Sequence, residues 1–156
     1  MIAVLQRAAS AAVRVDGATV GEIGKGLLVL LGVAEGDTRE DAELLAKKIT
    51  ACRIFTDEND KMNLSVQDVK GELLVVSNFT LLANYRHGNR PDYMNAAKPE
   101  QANELYLYFA ELIRAALGSV AMGEFGADMR VLLEGDGPVT IVMDSNELKK
   151  KKEKAV

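Results

Sequence analysis

Gly26-Leu27-Leu28-Val29-Leu30-Leu31-Gly32-Val33 is the stretch that decides the fold class. An apolar run of this length with no charge reads as a strand buried on both faces, and it falls far short of the ~20 apolar residues that span a bilayer. Towards the N-terminus, Ile2-Ala3-Val4-Leu5, Ala12-Val13-Arg14-Val15 and Thr19-Val20 continue the strand pattern, with Asp16-Gly17 as a hairpin pair. Towards the C-terminus, Asp37 heads a run with Glu40 three residues on, the spacing of a capping box, and Ala42, Leu45, Ile49 and Cys52 share one helical face. A helix over about residues 38–51 is therefore expected to pack on a sheet.

Arg53-Ile54-Phe55 and Glu72-Leu73-Leu74-Val75-Val76 read as further strands, separated by a polar turn from Asp57 to Lys61. Residues 84–98 have no periodicity and read as a long loop of the functional kind. Pro99 suits a first helical turn, and Ala102, Leu105, Tyr106, Phe109, Leu112, Ile113 and Ala116 give that helix a continuous apolar face until Gly118. Residues 120–124, 128–133 and 139–143 read as three closing strands, with 134–138 as a connection. Strands and helices in this order do not alternate as a doubly wound fold requires. The class expected is α+β, with a mixed, mainly antiparallel, barrel-like sheet and two packed helices. Residues 1–145 form a single domain in this reading, and 146–156 a lysine-rich, flexible tail.

The chain has 156 residues, 48% of them apolar, which suffices for a core in one domain. Cys52 is the sole cysteine, so neither an intrachain disulfide nor a cysteine metal cluster is available, and a cytoplasmic location is expected. Arg7 and Arg14 interrupt what would have to be the apolar core of a signal segment, so neither secretion nor membrane insertion is expected. The formal charge of -4 divides into +3 for residues 146–156, with five lysines and two glutamates, and -7 for the rest. An acidic body argues against a broad nucleic-acid-coating surface and against DNA as a partner; any RNA contact must be local.

Two segments resist a core reading. Ser77-Asn78-Phe79-Thr80-Leu81-Leu82 puts polar residues at the end of an apolar run, and Asp136-Gly137-Pro138-Val139-Thr140 places a dipeptide that shapes main chain between two others. Conventional hydrolase equipment is absent: His87 is the one histidine, and no metal-spaced cluster, phosphate-binding glycine loop or nucleophile elbow occurs, so neither a metal nor a cofactor is expected. Thr80 on its own reads as a residue bonding a neighbouring backbone group, and Gly137-Pro138 on its own as a tight turn.

Together, Gln6-Arg7, the run from Gly21 to Val33, Ser77 to Leu82, Phe125-Gly126-Ala127-Asp128-Met129 and Asp136 to Thr140 resemble the D-aminoacyl-tRNA deacylase family, from Met1 to about Asp144. The resemblance implies a homodimer that hydrolyses the ester at the 3′ end of D-aminoacyl-tRNA, and glycyl-tRNA besides. It implies a cis Gly137-Pro138 bond inserted into the partner's site to reject L-residues, with Arg7 holding the dipeptide in orientation. By the same resemblance Ser77, Asn78, Phe79 and Thr80 carry catalysis through main-chain groups and the tRNA's own hydroxyl, while Gly137, Pro138, Arg7 and Met129 bind substrate.

The sequence departs from the family pattern at Asn78, where glutamine is usual, at Gly135, where asparagine is usual, and at Asp92, where serine is common. Two other readings stand beside this one: proofreading of L-mischarged tRNA, as in relatives with a trans glycine-proline bond, and a non-catalytic module that binds tRNA ends or a partner protein through residues 84–98.

Overall fold

The central strand of the sheet is the apolar run quoted first. The structure, a computed structural model, describes residues 1–150. In it Gly26–Gly32 forms a strand in which every residue but Leu30 is buried. In chain order the elements are β1 (Ile2–Val15), β2 (Ala18–Ile23), β3 (Gly26–Gly32), α1 (Arg39–Ala51), β4 (Phe55–Thr56), β5 (Met62–Leu64), β6 (Glu72–Ser77), α2 (Pro99–Leu117), β7 (Ala121–Met122), β8 (Arg130–Asp144) and α3 (Ser145–Lys149).

β1 pairs antiparallel with β3 along its first half and with β2 along its second, while its other edge takes β8 antiparallel from Ile2 to Arg14. β3 pairs parallel with β6, and β6 parallel with β7. The ends of the path β2-β1-β3-β6-β7 come back together: a Cβ on Gly21 of β2 would lie 2.3 Å from the Met122 carbonyl oxygen of β7. Only a residue without a side chain permits that approach. The result is an α+β fold with a mixed, nearly closed, barrel-like sheet.

α1 and α2 pack together over this sheet, and Leu5, Leu27, Val29, Leu45, Ile49, Phe55, Leu73, Phe109 and Ile113 are buried between the layers. Each large side chain so buried contributes about 1.5–3 kcal/mol. Tyr106 joins them because its hydroxyl donates to the Val75 carbonyl at 3.1 Å; burial pushes its phenol up to about 12.

Several local expectations need correction. The cap of α1 is Thr38, whose amide donates to Asp41 Oδ2 at 2.8 Å, rather than Asp37 with Glu40. Asp37 is engaged elsewhere: its carboxylate accepts from the Ala34 amide at 2.7 Å and pairs with the Met1 amino group at 2.9 Å. The strands expected at 128–133 and 139–143 are one strand, β8, because both halves pair with the same edge of β1; residues 136–139 step out of that ladder where its register shifts. A third helix, α3, begins where a flexible tail was expected. Ser145 is fully buried and donates to Asp41 Oδ1 at 2.7 Å, and Lys149 reaches the same oxygen at 2.7 Å, so burial and an ion pair hold this turn down. Residues 151–156 of the expected tail lie outside the described residues.

Candidate functional site

The parallel pair β3 and β6 ends at Leu31 and Ser77, and there the chain leaves the sheet. The Asn78 amide makes the last tie, donating to the Leu31 carbonyl at 2.8 Å. Phe79–Leu82 then winds into one tight helical turn, so Thr80, expected at a strand end, sits in a helical turn instead. Asn78 starts that turn: its Oδ1 accepts from the Thr80 amide at 3.2 Å and also from the Thr80 hydroxyl. A side-chain oxygen accepting from the first turn is what favours asparagine at such a position.

Ser77, Asn78 and Phe79 line a cleft of about 620 Å³. Its remaining wall comes from Val33, from Tyr93 and Ala96 to Lys98 of the long loop, from the start of α2, and from Phe125, Gly126, Ala127 and Met129. The Phe79 and Tyr93 rings meet edge to face, centroids 5.0 Å apart, at its rim. No carboxylate and no histidine lines the cleft. Thr80 lies beside it without lining it. The Phe79 amide has no hydrogen-bond partner among the described residues.

A second depression of about 460 Å³ shares Ser77, Asn78 and Met129 with the cleft and runs over Gln6, Leu28, Leu30, Val131 and Leu133. It opens onto β8, where Val131, Leu132, Leu133 and Val142 are exposed, Val142 to 68%. Within β8 the dipeptide Gly137-Pro138 is exposed, lies outside both depressions, and has a cis peptide bond, the isomer that the resemblance implies. Arg7 braces the preceding residue: Nε donates to the Asp136 carbonyl at 3.0 Å, and Nη1 donates to the Ile54 carbonyl at 2.9 Å. Within one chain, then, Ser77, Asn78, Phe79 and Met129 come together, Arg7 joins Gly137 and Pro138 through Asp136, and the two groups stay apart. His87 lies in the loop and lines neither depression.

Residues 4–144 match the family model described as D-Tyr-tRNA(Tyr) deacylase. The chain belongs to this family. Relatives named D-aminoacyl-tRNA deacylase agree over nearly their whole length. One from Dehalococcoides mccartyi is 56% identical over 147 residues, covering 94% of this chain and 96% of its own. Another, from Persephonella marina, is 55% identical over 148 residues, covering 95% and 100%. Among solved structures, one named c-Myc DNA Unwinding Element Binding Protein has a TM-score of 0.88 at 41% identity, covering 92% of this chain and 98% of that one. A probable eukaryotic D-amino acid tRNA deacylase has a TM-score of 0.78 at 17% identity, covering 91% and 97%, a likeness of fold alone. Tyr93, Ala96 and Lys98 of this deacylase-family cleft were not among the site residues read from the sequence, and Phe125 entered there only within a family-like segment. For the first three the signal was the aperiodic, functional-looking loop over residues 84–98.

Proposed function

We propose that this chain is a D-aminoacyl-tRNA deacylase: water adds across the acyl-oxygen bond at the tRNA 3′ end, releasing a D-amino acid and a tRNA with a free hydroxyl. Family membership over residues 4–144 carries this reading.

The cleft's chemistry suits an ester that is already labile. Without a carboxylate or histidine in the lining, rate enhancement falls to positioning and to main-chain donors, and the unpartnered Phe79 amide is the donor that fits a developing oxyanion. The 2′-hydroxyl beside the ester supplies the remaining functional group. The Thr80 hydroxyl is already donating to Asn78 Oδ1 and has no base beside it in the cleft, which ranks it below the main chain as a nucleophile.

Chirality is assigned to Gly137 and Pro138 of a second copy. In this reading the exposed apolar side chains of β8 pair two copies, and the dipeptide of each enters the depression that adjoins the other's cleft. What supports it is position: the dipeptide is exposed, braced from behind by Arg7, and borne on the strand that leaves Val131, Leu133 and Val142 uncovered. Rigid carbonyls there exclude an L side chain and spare glycine, so glycyl-tRNA becomes a second substrate. Met129, shared by both depressions, forms pocket wall. The reading treats residues 1–145 as one catalytic domain working in the cytoplasm.

Incubation with D-tyrosyl-tRNA and L-tyrosyl-tRNA tests the proposal. The D-ester should vanish and the L-ester persist; survival of the D-ester at the buffer rate, or equal cleavage of both, sinks it.

A further inference from the structure

The loop from Asn84 to Lys98 does more than wall the cleft. Its first part is a hairpin closed by backbone bonds in both directions, from the Asn84 amide to the Asp92 carbonyl at 2.8 Å and from the Asp92 amide to the Asn84 carbonyl at 2.9 Å. Its far end is tied to the strand β3 exit, where the Ala97 amide donates to the Val33 carbonyl and the Glu35 amide to the Asn95 carbonyl, both at 2.9 Å. The loop is therefore held at both ends, yet residues 85–95 are all exposed. Tyr85 is 79% exposed and Met94 81%. Side chains of this size usually anchor a loop to a core, and these do not.

Charge adds a second, independent observation. Residues 84–98 carry three cations, Arg86, Arg90 and Lys98, against the one carboxylate of Asp92, in a chain whose formal charge is -4. Among the described residues none of the three makes an ion pair. The Asp92 carboxylate accepts from the Met94 amide at 3.3 Å. A positive, aromatic-bearing projection on an acidic body matches single-stranded nucleic acid, where cations meet phosphates and rings stack on bases. Tyr93 makes this projection continuous with the cleft, since its ring packs on Phe79 at the rim.

We infer that the hairpin closed by Asn84 and Asp92, together with Lys98, takes the 3′-terminal single strand of the tRNA, with Arg86, Arg90 and Lys98 against phosphates and Tyr85 and Tyr93 as stacking faces. This rests on the deacylase reading proposed above. The strand enters over the hairpin, and its terminal ester drops past Tyr93 to Phe79.

Binding of uncharged tRNA, followed by fluorescence titration across a range of salt, tests the surface without requiring catalysis. The double variant Arg86→Ala/Arg90→Ala should bind about 25-fold more weakly at 0.1 M salt, with the log-log salt slope shallower by about 1.4, because each single-strand phosphate contact contributes about 0.7 to that slope. Arg86→Lys/Arg90→Lys should restore most of the affinity, and Tyr85→Ala should weaken binding with no change in slope. Lys47→Ala/Lys48→Ala, near the far end of α1, should leave affinity unchanged. Wild-type protein that does not bind tRNA, an alanine pair that binds like wild type, or an equal loss from the α1 pair each overturns the inference; the last two mark the hairpin as a surface for something else. Protein that binds tRNA through the hairpin but leaves D-tyrosyl-tRNA intact would overturn the deacylase reading instead.

Discussion

Arg7 on β1 donates from Nε to the main-chain carbonyl of Asp136, 3.0 Å away, and so holds the residue just before Gly137. The same guanidinium reaches the Ile54 carbonyl at 2.9 Å with Nη1, and only 11% of the side chain is exposed. One planar cation thereby ties three separated segments together, a job that the compact ammonium of lysine does not reproduce. Arg7→Lys should lower kcat/KM for D-tyrosyl-tRNA by about tenfold or more and destabilise the fold by about 1–3 kcal/mol, the worth of charged hydrogen bonds. Single-turnover deacylation beside a urea melt measures both; full activity in the lysine variant would remove Arg7 from the positioning role.

Gly137 stands at φ +148, and a Cβ there would lie 2.4 Å from the Val139 amide nitrogen. Gly137→Ala therefore has to move the main chain that the proposal makes responsible for chiral selection. The variant should cost about 1–3 kcal/mol of stability. Its ratio of D- to L-tyrosyl-tRNA cleavage should also fall, read by assaying both esters in parallel, and an unchanged ratio would place selection elsewhere.

The Thr80 hydroxyl donates to Asn78 Oδ1, and the cleft lining offers no base to activate it. Thr80→Ala should accordingly lose less than about tenfold in kcat, the size of a positioning effect, whereas loss of a nucleophile would reach several orders of magnitude. A drop of the larger size would make the hydroxyl the attacking group.

Val131, Leu133 and Val142 leave apolar surface open along β8. Uncovered patches of this kind mark contact sites. Sedimentation should give about twice the chain mass of 16.9 kDa. Leu133→Glu/Val142→Glu should run as a single chain and lose D-tyrosyl-tRNA cleavage, with circular dichroism confirming that it folds. A wild-type monomer that is fully active would end the cross-subunit assignment.

Asp41 is buried, which opposes its ionisation, but hydrogen bonds from Lys149, Ser145 and the Thr38 amide prevail and hold its pKa at about 2, below the ordinary carboxylate range. A carboxylate depressed in the folded state contributes stability that is present above its unfolded pKa and lost as pH falls through the folded one. Asp41→Asn should therefore cost about 2 kcal/mol near neutrality. The gap from wild type should close as pH drops from about 4 towards 2, in line with the unfolded carboxylate titrating near 3.9. Denaturant melts across that window check it; a gap independent of pH would assign the cost to packing.

Much of the fold was legible because its signals are local. An uninterrupted apolar run had to be a central strand, and a 3.6-residue apolar stripe after Pro99 had to be a helix packed on it. Element limits were less legible where a distant partner overrode local chemistry. Asp37 looked like a cap until the Met1 amino group claimed it, and β8 looked like two strands until β1 paired with both halves.

By itself the sequence determined the fold class, the family and the two segments that break the apolar pattern, since composition, periodicity and motif residues are properties of neighbours along the chain. Only the tertiary structure decided what surrounds those segments: that Ser77 to Phe79 open into a cleft free of carboxylate and histidine, that Thr80 spends its hydroxyl on Asn78, and that Arg7 holds Asp136 across the sheet. These are contacts between residues up to about 130 positions apart, set by strand register and chain crossing rather than by local preference.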